Sequence, residues 1–322
     1  MSKSRSKIHP KYKTKYRVQN WPDYDRALVR RGDLTIWFCK DAVAAWNAAP
    51  SGARGRPQRY SSAAIETALT LRLVFGLPWR QTEGLLRSLL RLLDLQLEAP
   101  DHTTLSRRAR ASMVEVAQRA RHGSIHLVVD ATGLKVFGQG EWAAWKHGAR
   151  KAGPGWRKLH IGVDEDGFII AAALTDATTT DASVVPDLLE QLDGPLVSFT
   201  ADGAYDGRPV YEAVLGAGPA PRIVIPPSRT AVAAGPTEPI LAQRDAAIEA
   251  IDRDGRRRWK KSAGYHQQGR AENTFSRFKR IFGPRLRARN EYSQNMEVAV
   301  ACAVLNRMSS LGMPDSVAVV ST

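Results

Sequence analysis

Two aspartates directly follow apolar runs that are typical of buried β-strands. Asp130 comes after Ile-His-Leu-Val-Val and precedes Ala-Thr-Gly, and Asp202 comes after Val-Ser-Phe-Thr-Ala and precedes Gly-Ala-Tyr-Asp. A carboxylate at the end of such a strand is poorly solvated unless it has a partner or a metal ion. Taken singly, each is also compatible with a strand-end aspartate that caps a turn. The two together, on strands expected to be adjacent, favour a shared site.

A third carboxylate, that of Glu272, lies in a helical stretch among basic residues. On a helix, Glu272, Ser276 and Lys279 share one side because they are spaced by i, i+4 and i+7. A carboxylate for a metal ion and a lysine for a phosphate would then face one substrate. The alternative is an ion-paired surface helix. The residues alone do not separate Glu272 from Glu190 or Asp206 as the third acid.

Three carboxylates that converge on one point are suited to phosphoryl transfer with divalent metal ions. Mg²⁺ prefers oxygen ligands, usually one or two carboxylates together with water and substrate phosphates. Two ions roughly 3.5–4 Å apart activate the attacking oxygen and stabilise the leaving oxygen when a phosphodiester is cut or joined. The acids therefore predict a site for Mg²⁺ and a phosphodiester substrate.

The charge balance indicates a polyanionic partner. The chain has 322 residues, a formal net charge of +15 and a pI near 10.1. Nucleic acid is favoured because no basic amphipathic membrane helix stands out. Residues 1–31 contain ten Lys or Arg against two acids, and residues 256–261 read Arg-Arg-Arg-Trp-Lys-Lys; such runs are otherwise solvated tails. Two cysteines are too few for a disulfide framework or a zinc site, and no apolar stretch is long enough for a membrane span.

From about residue 121 the pattern alternates between strands and helices. A hairpin is expected around Glu165-Asp166-Gly167, and the order is strand, strand, strand, helix, strand, helix, strand, helix. That order is typical of a ribonuclease-H-like α/β fold, a mixed sheet flanked by helices, in which Asp130 and Asp202 end neighbouring strands. The predicted strands are 125–130, 158–164, 168–174, 196–202 and 222–225, and the predicted helices are 181–192, 209–215, about 272–282 and 294–311.

The preceding residues divide into a basic arm, 1–50, and a helical domain, 51–120, so that 121–322 form the catalytic domain. Within the arm, Leu34–Phe38 is interpreted as a short strand because it is apolar and partly β-branched. Two apolar helices and a short helix rich in Thr, Ser and Arg then indicate a DNA-binding helix-turn-helix, with a plain helical bundle as the alternative. Arg54 and Arg56 either enter a minor groove or form a basic linker. The contact candidates on the last helix are Thr103, Thr104, Arg107 and Arg108.

At these residues the sequence resembles the DDE transposases of bacterial insertion sequences, specifically insertion-sequence family five. The resemblance covers essentially the whole chain and rests on Asp-Ala-Thr-Gly-Leu-Lys from residue 130, Ala-Asp-Gly-Ala-Tyr-Asp from residue 201 and the segment around Glu272. The family's signature near its catalytic glutamate is Tyr, two residues, Arg, three residues, Glu, six residues, Lys. Tyr265, Glu272 and Lys279 match it in register, whereas the Arg position holds Gln268, with Arg270 two residues later.

The resemblance implies a ribonuclease-H-like domain in which Asp130, Asp202 and Glu272 hold two Mg²⁺ or Mn²⁺ ions. It implies that Tyr265 and Lys279 bind phosphates at the transposon end, and Arg270 is the candidate to replace the missing arginine. The expected activity is cleavage at the terminal inverted repeats of a mobile element and joining of the freed 3′ ends to target DNA.

The expected partners are double-stranded DNA, both element ends and target, and a second copy of the chain, because two ends are processed together. The expected location is the bacterial cytoplasm, in association with the nucleoid. Two alternatives stay open from the sequence. One is a non-catalytic DNA-binding regulator descended from a transposase, and the other is a metal-dependent nuclease that cuts without joining.

Overall fold

The computed structural model describes residues 15–50, 57–111, 123–136 and 155–319, so Arg54 and Arg56 lie outside the described residues. The strands are β1 (Lys15–Val18), β2 (Ile125–Val136), β3 (Trp156–Val163), β4 (Ile169–Asp176), β5 (Leu196–Thr200), β6 (Arg222–Val224), β7 (Arg285–Leu286) and β8 (Ser316–Val319). The α-helices are α1 (Trp21–Arg30), α2 (Leu34–Trp37), α3 (Lys40–Ala44), α4 (Ser62–Val74), α5 (Trp79–Leu92), α6 (His102–Ala111), α7 (Val185–Leu189), α8 (Arg208–Gly216), α9 (Ala242–Asp254), α10 (Arg256–Ser262), α11 (Gly269–Ile281) and α12 (Glu291–Ser310). Short 3₁₀ helices span Asp181–Val184, Gly203–Tyr205, Pro239–Leu241 and Tyr265–Gln268.

A mixed sheet forms the centre of the fold, as the sequence predicts, and it has six strands rather than the five predicted. Its order is β4-β3-β2-β5-β6, and β7 pairs with the far end of β2. The β2-β3-β4 meander is antiparallel, whereas β5 and β6 run parallel to β2. The β3-β4 hairpin closes at Gly167, whose φ of 80° is a left-handed conformation that glycine adopts without strain. The helix α8 provides the crossover that parallel neighbours β5 and β6 require.

The two faces of the sheet have separate cores because alternate side chains of a strand point to opposite sides. Val128 packs in one cluster with α11, α12 and the helices α4 to α6. Leu127 and Val129 pack in a second cluster with α7 and α8. Asp130 is two residues beyond Val128 and therefore points towards the α11 side of the sheet.

The segment Leu34–Phe38 is not the strand that its apolar, partly β-branched composition suggests. It forms helix α2 instead, and the Asp33 carboxylate caps the first turn by accepting a hydrogen bond from Thr35 N at 3.0 Å. Trp37 is 2% exposed and packs in the core cluster with α4. The apolar residues therefore serve helix packing, and the local cap selects the helix over the strand.

Several element boundaries also differ from the prediction, two of them by more than a few residues. β2 does not end at Asp130 but continues to Val136, still paired with β3. What ends near Asp130 is the pairing of β2 with β5, whose last partners are Val128 and Thr200. The predicted helix 181–192 is shorter, a 3₁₀ turn followed by α7. Among the described residues, no helix is long and apolar enough to cross a membrane.

Candidate active site

The sheet brings Asp130 and Asp202 side by side. In the parallel pairing of β2 with β5, Val128 lies opposite Thr200, and each aspartate is two residues further along the chain. The Asp130 carboxylate accepts a hydrogen bond from Ala131 N at 2.8 Å. The Asp202 carboxylate accepts one from Ala204 N at 2.8 Å and so caps the following 3₁₀ turn. Both carboxylates are thus anchored by backbone amides where the two strands separate.

Helix α11 carries Glu272 across the end of this strand pair. Two contacts fix the helix along β2. Gln268 Nε2 donates to Val129 O at 3.1 Å just before the helix begins, and Lys279 Nζ donates to Thr132 Oγ1 at 2.6 Å near its end. These contacts lie on either side of Asp130 in the sequence. Glu272, in the first turn of α11, is exposed to solvent beside them.

The three carboxylates interact through their charges. The pKa of Asp130 is raised to about 6, first by burial and then by the negative charges of Asp202, Glu272 and Asp181, with the Ala131 amide partly opposing the shift. Burial and neighbouring negative charges both disfavour the ionised form of a carboxyl group. The Asp130 carboxyl therefore lies within electrostatic reach of the two other predicted acids.

Tyr265 lies beside the same three acids. Burial raises its pKa to about 12, and the charges of Asp202, Glu272 and Asp130 act in the same direction. The Lys260 ammonium lies over the Tyr265 ring, with its Nζ 4.4 Å from the ring centroid. The phenol is therefore neutral at physiological pH and able to donate a hydrogen bond. It lies at the edge of the acid cluster (Asp130, Asp202 and Glu272).

The catalytic part of the chain matches a known family. A family model described as "Transposase DDE domain" matches residues 121–307, which is more than half of the chain and includes all three acids. The chain belongs to the DDE transposases. A second model with the same description matches residues 29–139. Membership in insertion-sequence family five stays a prediction, because the matched descriptions do not number the family.

Members of this family are metal-dependent enzymes that cut and transfer DNA strands. The three predicted acids of the transposase provide the kind of ligand atoms that such metal ions bind. Asp130, Asp202 and Glu272 offer only oxygen atoms, which hard divalent ions prefer. In the described part of the chain, no three His, Cys, Asp or Glu side chains stand close enough together to form a complete metal site. Two of the three carboxylates are turned onto backbone amides, those of Ala131 and Ala204.

Gln268 explains how the transposase departs from the family signature. This residue is 4% exposed and its amide holds the start of α11 to Val129 of β2. A guanidinium would not fit this buried contact without losing its water. The position therefore has a structural role here, and Arg270, which is half-buried on the first turn of α11, is the nearby cation on that helix.

Three residues near the acids, Lys158, His160 and Asp181, carry no sequence signal strong enough to predict them as part of the site. The side chain of Asp181 accepts a hydrogen bond from Lys158 Nζ at 3.0 Å and lies 3.9 Å from Nδ1 of the buried His160. Burial lowers the pKa of His160, whose Nε2 is 2.9 Å from Thr175 Oγ1. The available signal was the presence of Lys158 and His160 two residues apart on β3, whose other residues from Leu159 onward are apolar or glycine.

The two other acids that the sequence left open do not join the site. The side chain of Asp206 is buried and paired with Arg244, whose Nε is 2.8 Å from Oδ1 of Asp206. Glu190 lies beside Gly194 in one surface pocket, and Gly194 precedes β5, whereas Asp202 follows its other end. Glu190 is therefore a full strand length from the acid cluster.

The helices α5 and α6 are joined by a polar contact at their turn. The Glu83 carboxylate accepts from His102 N at 2.9 Å and lies 2.8 Å from His102 Nδ1, and hydrogen bonds from His102 lower the pKa of Glu83. Asp101 caps α6, accepting hydrogen bonds from the amides and hydroxyls of Thr103 and Thr104.

The candidate contact residues of α6 have different surroundings. The hydroxyls of Thr103 and Thr104 are engaged by the cap. Arg107 is exposed, and with Thr103 it lines an open groove that also includes Trp79 and Arg80 of α5. Arg108 donates to Tyr60 O at 3.0 Å and so points back towards α4.

Proposed function

We propose that this transposase binds the terminal inverted repeats of an insertion sequence, cleaves DNA strands there and joins the 3′ ends to target DNA. The observation that supports the proposal is that Asp130 and Asp202 follow β2 and β5 where these strands separate, and that the charges of Asp202 and Glu272 both act on Asp130. Their mutual repulsion and the burial of Asp130 would be relieved by divalent cations, because an opposite charge stabilises the ionised form.

The three carboxylates would hold two Mg²⁺ or Mn²⁺ ions. When bound, such ions activate an attacking oxygen and stabilise the leaving oxygen of the phosphodiester. The carboxylates of Asp130 and Asp202 would turn from the backbone amides to meet the ions, and Glu272, exposed on α11, would close the site from the helix side. The contact of Gln268 with Val129 keeps the start of that helix on β2.

We infer that Tyr265, Arg270 and Lys279 hold phosphates of the element end. Tyr265 and Lys279 lie on opposite sides of Glu272 in the sequence, one beside the acids and the other bonded to Thr132 of β2. A DNA strand that reaches Glu272 would pass both. Lys279 would exchange its contact with Thr132 for a charge-assisted bond to phosphate.

We further propose a division into a basic arm (1–50), a helical DNA-binding domain (51–120) and the catalytic domain (121–322). The capped helix α6 would act as the recognition helix of a helix-turn-helix, with exposed Arg107 in contact with DNA. Thr103 and Thr104 would reach DNA only beside the Asp101 cap, and Arg108 only by leaving Tyr60. Arg54 and Arg56 are proposed as minor-groove contacts.

The assembly on DNA is proposed to contain at least two copies of the chain, because two element ends must be processed together. Its place of action would be the bacterial nucleoid. Both statements rest on the proposed reaction.

The test is cleavage and joining of a labelled duplex that carries the element's own terminal repeat, with Mg²⁺ and with EDTA. Metal-dependent cutting at the repeat boundary, followed by capture of joined products, supports the proposal. Cutting without joined products would favour a nuclease. Tight, specific binding without cutting under Mg²⁺ or Mn²⁺ would favour a DNA-binding regulator.

A further inference from the structure

The helix α10 is the most basic element in the described part of the chain, and the site described above does not use most of it. Its seven residues read Arg-Arg-Arg-Trp-Lys-Lys-Ser, with five cations and no acid. We propose that its outer face binds the phosphate backbone of target DNA, the duplex into which the element is inserted. This inference rests on the proposed function.

The orientation of α10 follows from its one aromatic residue. Trp259 is 7% exposed and packs against Val224 of β6 and Ala247 of α9. Because an α-helix has 3.6 residues per turn, residues two before and two after Trp259 point to the opposite side. These are Arg257 and Lys261, and both are exposed. The helix is therefore anchored by an indole and presents this pair of cations on the side opposite to it, while Arg258, which is also exposed, lies to one side.

The inner and outer cations of α10 have different surroundings. Arg256 donates to Ser228 O at 3.2 Å, and Lys260 lies over the Tyr265 ring, so these two help to fix the helix. Within the described residues, Arg257 and Lys261 lie within 4.0 Å of no carboxylate. Their charges are available to a polyanion, and a pair of cations one turn apart fits phosphates of a nucleic-acid backbone.

The position of α10 connects it directly to the acid cluster. Lys260, on the inner side of the helix, contacts the ring of Tyr265, and Tyr265 is within electrostatic reach of Asp202 and Glu272. A duplex bound along α10 would therefore lie on a helix that contacts Tyr265, the residue near the proposed metal ligands. This is the placement that a second DNA molecule needs if its phosphodiester is to be attacked at the same site.

The arrangement favours target DNA over the element end. The candidate recognition helix α6 packs against α12, which covers β4 at one edge of the sheet, whereas α10 packs against β6 at the other edge. Element ends held by α6 and target held by α10 would approach from opposite sides. A surface that binds the phosphate backbone also suits a target of varied sequence, because phosphate contacts carry no sequence information.

The experiment separates joining from cutting. Pre-cleaved labelled repeat ends are mixed with a plasmid target and the chain carrying R257A/K261A, and joined products are counted. End binding and cleavage of an uncut repeat are measured in parallel. We expect joining to fall about tenfold near physiological salt, with recovery at low salt, because the variant lacks two cations that neutralise phosphates. End binding and cleavage should stay within about twofold of the unmodified chain, on the same electrostatic argument.

Two controls test whether charge in this place is what matters. R257K/K261R keeps both cations and should restore joining. R253A removes an exposed arginine of α9 that is already paired with Asp254, and should leave joining unchanged. Loss of cleavage and joining together in R257A/K261A, or no loss of joining, would overturn the proposal.

Binding of a non-specific duplex without metal gives a readout that does not depend on catalysis. The slope of log affinity against log salt should become shallower by about 2 in R257A/K261A, since each phosphate that a cation neutralises adds close to 0.9 to the slope. An unchanged slope would overturn the α10 proposal even in a chain that transposes. If the unmodified chain neither cuts nor joins, the proposed function fails, and the slope still decides whether α10 binds DNA.

Discussion

The charge of Asp130 should reduce the stability of the fold when no metal is present. Its pKa is raised to about 6, above the value near 3.9 of a solvated aspartate. The folded chain therefore binds a proton more tightly than the unfolded chain does, and the free energy of unfolding falls as the pH rises from about 4 to about 6. Above that window the full penalty applies.

The size of this loss of stability follows from the rise of the Asp130 pKa from about 3.9 to about 6, since each tenfold change in proton affinity is worth about 1.4 kcal/mol. The carboxyl group is partly exposed, so solvent screening reduces the sum to roughly 1–2 kcal/mol. Asp130→Asn removes the charge at every pH and keeps an oxygen that accepts from Ala131 N. We expect the variant to be more stable than the unmodified chain by that amount at pH 8 in EDTA.

The assay is thermal or urea unfolding in EDTA across pH 4 to 8. At pH 8 the variant should unfold about 2–8 °C higher, since 1 kcal/mol shifts a domain of this size by about 2–4 °C. The difference should shrink towards pH 4. Asp176→Asn is the matched control with the opposite sign, because hydrogen bonds from Thr178 and Thr179 lower the pKa of Asp176 to about 2. A D130N variant that is equally stable or less stable at pH 8 would refute the electrostatic account of the site.

Three further predictions concern the elements around the site. Gln268→Ala removes the hydrogen bond to Val129 O and should lower the free energy of unfolding by about 1 kcal/mol. The rate of cleavage should fall by a larger factor, because the start of the helix that carries Glu272 is no longer held. A variant that cleaves as fast per folded molecule as the unmodified chain would contradict this. Asp101→Ala removes the α6 cap, and calorimetry should show that the free energy of unfolding falls by about 1 kcal/mol. Gel shifts should show weaker binding to the repeat, with binding to random DNA little changed. If the variant still prefers the repeat to random DNA by the same factor, α6 is not the helix that reads the sequence. Lys279→Met should weaken binding of the element end, and the slope of log affinity against log salt should become shallower by about 1. An unchanged slope would show that Lys279 does not contact a phosphate.

Much of the sheet could be predicted because its strands carry continuous apolar runs and its turns carry glycine. The mixed order and the adjacency of Asp130 and Asp202 followed from the alternation of strands and helices. The continuation of β2 beyond Asp130 was missed, because Ala131, Thr132 and Gly133 resemble a turn when read alone. Pairing with β3 makes them a strand, and that tertiary contact has no local signal.

The helix Leu34–Trp37 was missed for a related reason. Its β-branched residues favour a strand, but Asp33 and the burial of Trp37 decide for a helix. The choice of Glu272 over Asp206 depended on resemblance, since both acids lie among cations. Only the structure shows that Asp206 is already neutralised by Arg244, and only the fold reveals Asp181 beside the acid cluster.

The most direct test of the central claim compares Glu272→Gln with Glu190→Gln on a labelled repeat duplex in Mg²⁺. Both variants lose one exposed carboxylate, but only Glu272 is proposed as a metal ligand. We expect E272Q to lose more than about a hundredfold in strand cleavage, since even outer-shell partners of a metal cost about 10–100-fold, while repeat binding is kept. E190Q should cut at the normal rate. Normal cleavage by E272Q, or equal losses in both variants, would contradict the assignment of the active site.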